Sequence, residues 1–559
     1  MSKYNQKVAP VVNKTTTLQG GTGYTQKPEH ELIGILSTGL DNNFYEKEGD
    51  REKRFTTVFN EVASKNKVFA AKALVYARAV LGQRTVTHRG AVELVKHLQG
   101  DELGKKFFSK RDRKANHGGI VYRIDDMTEI LACYLAKNGA KASLPNSIKK
   151  GFKDAIEHAD AYALAKYQMK GKSVSLVDIV NLVHPKETAN NGSIFVDKAE
   201  YVKAINGTKF ANKEFVEVDG KVQVPALRAL VLGVLKQFDT VEDKNTSAGK
   251  KVAEAVKAGE ITQEEAAVVL NDAKTDNYKE LIVSKKIGYL ALLRNIRNIL
   301  KTNDTDLLDK ACDLLVQKDF IVKSLVFPIQ IDLALEMMLI EFSGQKLAKV
   351  ITALNTAYEL SIPNLKNLLP EGRTAVVFDT SASMSGGYSN VRINDKVSIN
   401  KTPADRAALV AATFAKGVNG DVYHFANGSE KITGWNPIDS INTLKQKFQS
   451  YSGRLGHGTE FGACFNTFVK LNERYDRIII ISDEQDGSGQ TERAMANYVD
   501  KFGTPYVYII NVCGYAPVAM KPNSKVLRLF GYNQDVYDKI KQIEINPQVV
   551  IDAINAIEI

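Results

Sequence analysis

Cysteine is scarce in this sequence of 559 residues, and its spacing excludes two common uses of the residue. The four cysteines are far apart and form no Cys-x-x-Cys pair; they are Cys133, Cys312, Cys464 and Cys513. A disulfide framework or a cysteine zinc site needs closely spaced or paired cysteines. The sequence therefore predicts buried, reduced thiols.

Long hydrophobic runs are also missing. No apolar stretch approaches the ~20 residues that a membrane-spanning helix needs. The N-terminal sequence MSKYNQKVAPVVNKTTTLQGG is polar and lacks the apolar core of a signal peptide. We therefore expect a cytoplasmic protein without a membrane partner.

Familiar catalytic motifs are absent as well. The eight histidines form no His-Glu-x-x-His pair, and the sequence has no Gly-x-Ser-x-Gly elbow and no Gly-x-x-x-x-Gly-Lys-Ser/Thr phosphate loop. We therefore expect a protein that is not an enzyme. A metal-dependent hydrolase built on Asp379, Asp483 and His457 remains an alternative.

Acidic residues are outnumbered by basic ones, and the imbalance is confined to one part of the chain. The sequence has 75 Lys+Arg and 64 Asp+Glu, a net charge of +11. From Glu371 to Ile559 the two kinds are equal, at 20 each, so the whole excess precedes Glu371. A basic region beside a neutral one favours a polyanionic partner. A solvated lysine-rich surface is the alternative.

Apolar residues recur at helical spacing through most of the basic region. After a polar, flexible N-terminal arm at residues 1–27, the sequence predicts a helical domain over residues 28–365. Its expected helices lie at 55–63, 68–81, 127–136, 148–155, 161–169, 226–235, 287–300 and 329–341. Short amphipathic helices in succession predict stacked helix pairs, an α-solenoid of degenerate repeats. Pro363 and Pro370 mark the end of this domain.

The pattern changes to alternating strands and helices over residues 371–559. Expected strands lie at 374–378, 421–425, 477–481, 506–511 and 526–530, and expected helices at 403–416, 441–448, 461–471, 492–501 and 535–543. Such alternation predicts a doubly wound α/β sheet. The fold class is thus α plus α/β.

Oxygen donors are concentrated where two of these strands end. In RTAVVFDTSASMSG, residues 373–386, a buried strand leads into Asp379, Ser381 and Ser383, whose alternate spacing lets them converge. Thr459 lies in a glycine-flanked loop, and Asp483 follows a second buried strand. Ligands bind at the carboxyl ends of parallel strands, and Mg²⁺ prefers oxygen ligands. The sequence predicts a divalent-cation site.

This set of residues resembles the metal-ion-dependent adhesion site of von Willebrand factor A domains. The matching pattern is Asp379-x-Ser381-x-Ser383, then Thr459, then Asp483. The resemblance implies that the serines and the threonine contact the ion, Mg²⁺ in the first instance, and that the aspartates act directly or through water. An acidic group of a partner would complete the shell.

Lysines cluster in one segment of the helical region. Lys166 and Lys170 share a helix face because they are four residues apart. The candidate RNA-binding residues here are Lys149, Lys150, Lys166, Tyr167, Lys170, Lys172, His184 and Lys186. Lysines could position phosphates, and an exposed, solvated helix edge is the alternative. Arg84 and His88 are weaker candidates, and the run Lys105–Lys114 is interpreted as solvated.

The helical region is similar to the TROVE module of the Ro 60 kDa autoantigen family. The similarity rests on Lys166-Tyr167, His184-x-Lys186, Ala291-Leu292-Leu293-Arg294-Asn295, and Pro328 followed by Ala334-Leu335-Glu336. A TROVE module followed by an A domain is the Ro architecture, and it covers nearly the whole chain.

This resemblance implies a monomeric ring of HEAT-like helical repeats that acts in RNA quality control or processing. Small noncoding Y-like RNA would bind its basic outer face, and single-stranded 3′ ends of misfolded RNA would enter its central hole, near Arg294 and Asn295. An exoribonuclease is a candidate protein partner. The alternative from a different class is a protein-interaction adaptor that acts through the cation of its A domain.

Two features depart from the family pattern. Residues 386–401 form an insertion after the serine loop, and they could fold over the metal. The acidic segment Glu484–Gly487 follows Asp483, where it could tighten the ion or repel an acidic partner.

Overall fold

The structure is a computed structural model that describes most of the chain. It describes residues 13–559 apart from 41–43, 113, 169–172, 214, 236–261, 285–286, 325, 327, 362–368, 370, 387–388, 393–397, 524 and 532–533. Lys170, Lys172, Pro363 and Pro370 therefore lie outside the described residues.

The chain forms two compact units, and each is discontinuous in sequence. The first unit contains residues 1–53 and 241–549, and the second contains residues 54–240 and 550–559. This division differs from the predicted one, because the helices between residues 263 and 360 belong to the same unit as the strands between residues 374 and 530. The overall class is mixed, α plus α/β, as predicted. Among the described helices, none is long and apolar enough to cross a membrane.

A six-stranded sheet forms the core of the first unit. Its strands are, in spatial order, Ser429–Lys431, Asp421–Phe425, Thr374–Asp379, Arg477–Ser482, Tyr506–Asn511 and Val526–Phe530. All neighbours are parallel except the antiparallel edge strand Ser429–Lys431. The strand order reverses between Thr374–Asp379 and Arg477–Ser482, which is the position where ligands bind in doubly wound sheets.

Helices cover this sheet and precede it in the first unit. Those around the sheet are Ala382–Ser385, Pro403–Val418, Ile441–Gln449, Ala463–Leu471, Thr491–Phe502 and Gln534–Ile543. Those before it are Pro28–Thr38, Gln263–Val283, Tyr289–Lys301, Thr305–Leu315, Lys318–Lys323, Pro328–Glu341 and Gln345–Leu360. Helices Glu48–Lys65 and Val549–Asn555 contain the points where the chain passes between units. The insertion after the serine loop forms an antiparallel hairpin of Ser389–Arg392 and Ser398–Lys401.

Residues 13–27 are held by hydrogen bonds, so the expected flexible arm is not observed over these residues. Strands Lys14–Thr16 and Thr22–Tyr24 form a hairpin. The Thr17 hydroxyl donates to the Asp486 carbonyl at 2.5 Å, and the Tyr24 amide donates to the Val518 carbonyl at 2.9 Å. Long-range hydrogen bonds thus fix a stretch that its polar composition alone would leave mobile.

The second unit is mainly helical, with two small sheets. Its helices are Lys67–Ala79, Thr85–Leu94, Glu102–Phe107, Asp125–Asn138, Asn146–Glu157, Ala161–Lys166, Leu176–Val183, Lys198–Ile205 and Ala226–Val231, with 3₁₀ turns at Val95–His97 and Ala189–Asn191. Strands Ser193–Asp197, Lys221–Pro225 and Val216–Val218 form one sheet, and Arg111–Asp112 pairs with His117–Gly118. Ser175 and Asp178 form a capping box at the start of helix Leu176–Val183.

A buried ionic cluster in the second unit contains two of the residues predicted to bind RNA. Asp126 is fully buried and accepts hydrogen bonds from Arg78 at 3.0 Å and from His88 at 3.0 Å. His88 is itself buried, so its ring is not available to an RNA. Arg84 is part-exposed and pairs with Asp125 at 3.0 Å. His88 is therefore corrected to a structural residue, whereas the part-exposed Arg84 stays a predicted RNA contact.

Replacing Asp126 by asparagine should lower the free energy of unfolding by about 3 kcal/mol at neutral pH, because it leaves Arg78 buried without its counter-ion. Burial acts to raise the pKa of Asp126, but His88 and Arg78 hold that pKa well below its usual range. The stabilisation is therefore present above the unfolded pKa of about 4 and is lost as the pH falls toward the folded pKa.

Urea unfolding at several pH values measures both effects. Asp154→Asn, on a part-exposed residue beside His158, is the matched control and should change stability by at most about 0.5 kcal/mol. Equal losses in the two variants would contradict the assigned role of Asp126.

Candidate functional site

Three of the residues predicted to hold a cation, Asp379, Ser381 and Ser383, lie together at the carboxyl edge of the sheet. Asp379 and Ser482 end neighbouring strands, and the Ser482 hydroxyl donates to Asp379 Oδ2 at 2.6 Å. The Ser381 amide donates to Asp379 Oδ1 at 2.9 Å, and the Ser381 and Ser383 hydroxyl oxygens are 3.1 Å apart. The structure therefore brings the Asp-x-Ser-x-Ser loop to the point where the strand order reverses.

The remaining two donors, Thr459 and Asp483, are also buried. Asp483 Oδ1 accepts the Gln485 amide at 3.1 Å, whereas Asp483 Oδ2 is buried and has no hydrogen-bond partner among the described residues. A buried carboxylate oxygen without a partner is costly unless an ion or a water binds it. This orphaned oxygen fits a hard cation.

The charges of the site also favour a bound cation. Burial raises the pKa of both Asp379 and Asp483, and the charge of Asp379 raises that of Asp483 further. Two buried, neighbouring carboxylates repel each other, and a divalent cation between them would remove the repulsion. Among the described residues, no cluster of three His, Cys, Asp or Glu side chains is suited to a metal. The donor set here is instead two carboxylates and three hydroxyls, which suits Mg²⁺ and Mn²⁺.

The acidic residues after Asp483 are engaged elsewhere. The Glu484 carboxylate is buried and binds Arg528 at 2.7 Å and Asn511 at 3.0 Å. Asp486 Oδ1 and Oδ2 accept from Phe461, Ser488, Gly489 and Thr491. Neither carboxylate is free to tighten the ion or to repel a partner, which corrects that expectation.

The His457 ring is exposed, and the contact of this residue with the site runs through its backbone. Its carbonyl accepts the Ala382 amide at 3.0 Å. Among the described residues, no contact brings the ring to Asp379 or Asp483, and the hydrolase alternative stays a prediction.

Two glycines let the threonine loop pack closely around Asn427. A Cβ atom on Gly458 would lie 2.2 Å from Asn427 Oδ1, and one on Gly456 would lie 2.4 Å from Asn427 Nδ2. We expect Gly458→Ala to displace Thr459 and to weaken Mn²⁺ binding by about tenfold, the lower end of the range for losing support of a metal ligand.

Titration of Mn²⁺ by electron paramagnetic resonance measures this affinity. Gly428→Ala is the matched control, because a Cβ atom on Gly428 meets nothing within 4 Å. Unchanged affinity in Gly458→Ala would show that the loop does not position a ligand.

The second candidate site is an open basic cavity of about 970 Å³ in the second unit. Its cationic side chains are Lys105, Lys106, Lys110, Arg111, Lys114, Arg123 and Lys166; its aromatic side chains are Tyr122, Tyr162 and Tyr167; its acidic side chains are Glu102, Asp112, Asp154 and Asp160. His117 and His158 also line it. Cations therefore exceed acids, and three phenol rings accompany them.

A stack of rings and cations forms one wall of this basic cavity. The Arg123 guanidinium lies 4.9 Å from the Tyr167 ring, and the Lys166 ammonium lies 5.4 Å from the same ring and 5.3 Å from that of Tyr162. Asp125 holds Arg123 through bonds of 2.9 and 2.7 Å. The wall is thus preorganised, with Lys166 and Tyr162 exposed to solvent.

The opposite side of the basic cavity is a loop held by one buried arginine. Arg111 Nη1 donates to the Gly118 carbonyl at 2.5 Å, and Arg111 Nη2 donates to the Asn116 carbonyl at 2.6 Å. Asp112 Oδ1 accepts the Lys114 amide at 2.8 Å. Arg111 is therefore a structural residue, whereas the ordered loop presents Lys114 outward. The run interpreted as solvated belongs to a defined cavity.

The predicted RNA-binding residues are only partly brought together. Lys166 and Tyr167 line the basic cavity, but Lys149, Lys150, His184 and Lys186 do not. Arg294 is exposed in the first unit, where Asn295 accepts a hydrogen bond from Tyr278 at 3.0 Å. Sequence reasoning missed the contributions of Tyr122, Tyr162 and Arg123, since they approach Lys105–Lys114 only through the fold.

The first unit contains a doubly wound α/β sheet that carries an acidic, hydroxyl-rich site. The second unit is mainly helical and contains the basic cavity. Neither the models of known protein families nor the curated proteins give a match to this chain. The similarity to the Ro family therefore rests on the motifs given above.

Proposed function

We propose that the chain is an RNA-binding protein that is not an enzyme and that holds structured RNA at the basic cavity of its second unit. The observation that supports this most is the combination of exposed lysines and exposed tyrosine in one preorganised cavity. Lysines neutralise phosphates without reading sequence, and aromatic rings stack on unpaired bases of any kind. A nucleic acid offers phosphates to the lysines and bases to the tyrosine rings, so it can bind both kinds of side chain at once.

The dimensions and the position of the lysines favour RNA over a small anion. A cavity of about 970 Å³ is at the upper end of the range for small-molecule pockets, and it is open. Lys105 and Lys106 are exposed on helix Glu102–Phe107, and Lys114 is exposed on the loop, so positive charge extends along the rim. A rim of this kind suits the backbone of a folded RNA, which proteins recognise by shape and phosphates.

The Ro resemblance extends this proposal. In that reading the helices form a HEAT-like ring, Y-like RNA binds outside, and single-stranded 3′ ends of misfolded RNA pass near Arg294 and Asn295. The protein would act in cytoplasmic RNA quality control or processing, with an exoribonuclease as a candidate partner. A divalent cation in the A domain would stabilise that domain.

Binding of a hairpin RNA, with and without a single-stranded 3′ tail, tests the proposal. Electrophoretic mobility shifts over a series of salt concentrations should show binding that weakens as salt rises, with a slope of about −3 for four phosphate contacts. RNA that copurifies with the protein can then be sequenced. No binding of either RNA at low salt would end the proposal.

A cation-dependent protein adaptor is the second candidate function, and the orphaned Asp483 Oδ2 favours it. In an adaptor, the cation would bridge this site to an acidic group of another protein. Capture of a partner that depends on Mg²⁺ and is abolished by a chelator and by Asp379→Ala, without any RNA, would support this function.

A further inference from the structure

The residues Phe44 and Tyr45 lie over the loop that carries the cation ligands. The Tyr45 hydroxyl hydrogen-bonds with the Ser383 side chain and is close to the carboxylates of Asp379 and Asp483. Phe44 packs on Gly386 so tightly that a Cβ atom there would lie 2.2 Å from its ring. An aromatic pair from the N-terminal part of the chain therefore covers a site built from residues more than three hundred positions later.

Neighbouring contacts hold this pair in place. The Tyr45 and Tyr515 rings meet edge to face with centroids 5.7 Å apart, and the Tyr45 amide donates to the Tyr515 hydroxyl at 3.4 Å. Arg51 is buried and donates to the Cys513 carbonyl at 2.8 Å and to the Gly39 carbonyl at 2.7 Å. The position of Tyr45 is thus fixed by the protein interior rather than by a single surface contact.

We propose that Tyr45 is a positioning residue of the cation site, and that its hydroxyl occupies the side from which the carboxylate of another molecule would complete the shell of the ion. The site then binds a divalent cation with internal oxygens and excludes an external acid while Tyr45 is in place. The proposal concerns the A-type domain and does not depend on RNA binding.

Charge and geometry both support a self-contained site. Asp379 and Asp483 already balance the two positive charges of the ion, and the serine and threonine hydroxyls add neutral oxygen donors. An external carboxylate would add a third negative charge and would have to displace an anchored ring. Removing only the Tyr45 hydroxyl should therefore open the shell without disturbing the Phe44 and Tyr515 contacts.

Terbium luminescence tests this proposal, because Tb³⁺ binds oxygen ligands and emission lifetimes in H₂O and D₂O count the bound waters. Compared with the wild type, Tyr45→Phe should carry about one additional water on Tb³⁺, which enters the space that the phenol hydroxyl leaves. Acetate should bind the Mn²⁺-loaded variant about tenfold more tightly, as expected if Tyr45 excludes it in about nine of ten wild-type molecules.

Two variants serve as controls. Tyr506→Phe removes a hydroxyl at the amino end of a sheet strand, away from the site, and should leave the water count and acetate binding unchanged. Ser383→Ala removes a ligand and should weaken Tb³⁺ binding itself. The proposal is overturned if Tyr45→Phe and the wild type hold the same number of waters, or if acetate binds both equally.

Discussion

Replacing Lys105, Lys106 and Lys114 together by glutamate is expected to weaken binding of a structured RNA by about a hundredfold or more. All three side chains are exposed and line the basic cavity, so the change should not disturb the fold. Each substitution removes a phosphate contact and adds a repelling charge, and both effects grow as salt is lowered. Mobility shifts at two salt concentrations measure the loss and its salt dependence.

A second triple variant with the same change of net charge serves as the control. It distinguishes RNA binding at the basic cavity from general electrostatic attraction of RNA to the positively charged unit. Lys203, Lys213 and Lys221 are exposed in the same unit and do not line the basic cavity. Their replacement by glutamate should weaken binding by only a few fold. If the two triple variants lose the same affinity, the positive charge of the unit, and not the cavity, holds the RNA.

Replacing Tyr162 measures the contribution of base stacking to RNA binding separately from that of charge. It is 52% exposed beside Lys166, so Tyr162→Leu should preserve the helix while removing the stacking face. For an RNA with unpaired bases, we expect a loss of about 1–3 kcal/mol, the range measured for base stacking on aromatic residues. A fully paired hairpin should be nearly unaffected, and equal losses for both RNAs would show that no unpaired base stacks there.

If the site holds a divalent cation, as we propose, replacing Asp483 by asparagine should abolish the stabilisation that the cation gives to the domain of the six-stranded sheet. A site that binds only in the folded state raises the free energy of unfolding by about 2.7 kcal/mol when the cation is present at a hundred times its Kd. The variant retains the shape of the side chain but loses the charge of the orphaned oxygen. Thermal unfolding with Mg²⁺ and with a chelator should therefore differ for the wild type and coincide for the variant.

Asp486 in the same loop is the informative comparison. It is also buried, but hydrogen bonds to Ser488 and Thr491 engage its carboxylate. Asp486→Asn should lower stability equally with and without Mg²⁺, since those bonds are structural. A response to Mg²⁺ that survives in Asp483→Asn would show that the cation binds elsewhere.

Sequence reasoning found the sheet well because its strands are buried on both faces. The runs at Thr374–Asp379 and Arg477–Ser482 are continuous apolar stretches that end in a carboxylate or a hydroxyl. Such a pattern can be recognised in the sequence without knowledge of contacts between distant residues. The helix predicted at 403–416 is observed as Pro403–Val418, and Thr402 forms a capping box with Asp405 at its start. The edge strand Ser429–Lys431 was missed, because it is short and polar.

The N-terminal hairpin shows why the polar composition of residues 13–27 predicted flexibility wrongly. The polar composition of this segment predicts a flexible arm, but Gly20 adopts a φ of +97° in a tight turn. A Cβ atom on Gly21 would lie 2.3 Å from the Asp486 carbonyl oxygen, so glycine permits a close backbone contact. Such a role depends on a neighbour far away in sequence and cannot be recognised from the glycine itself.

The two candidate sites differ in how far sequence could define them. The predicted cation ligands Asp379, Ser381, Ser383 and Asp483 follow two neighbouring strands of the sheet, so their proximity could be predicted. The basic cavity combines Lys105, Tyr122 and Lys166, which belong to separate helices and loops. Local spacing carries no information on that assembly, and for this reason the lysine run was interpreted as solvated.

The interleaving of the chain constrains when each site can be completed during synthesis. The Thr17 hydroxyl donates to a carbonyl that lies 469 residues further on in the sequence. At ordinary translation rates, the ribosome needs roughly 20–100 s after it has made the N-terminal hairpin to synthesise this acceptor. Arg111, which supports the lysine loop, also donates to the Glu558 carbonyl at 3.2 Å. Early-made segments must therefore remain available to late-made ones, and a nascent chain would expose its edges to aggregation or chaperone capture until residues 483–518 and 558 emerge.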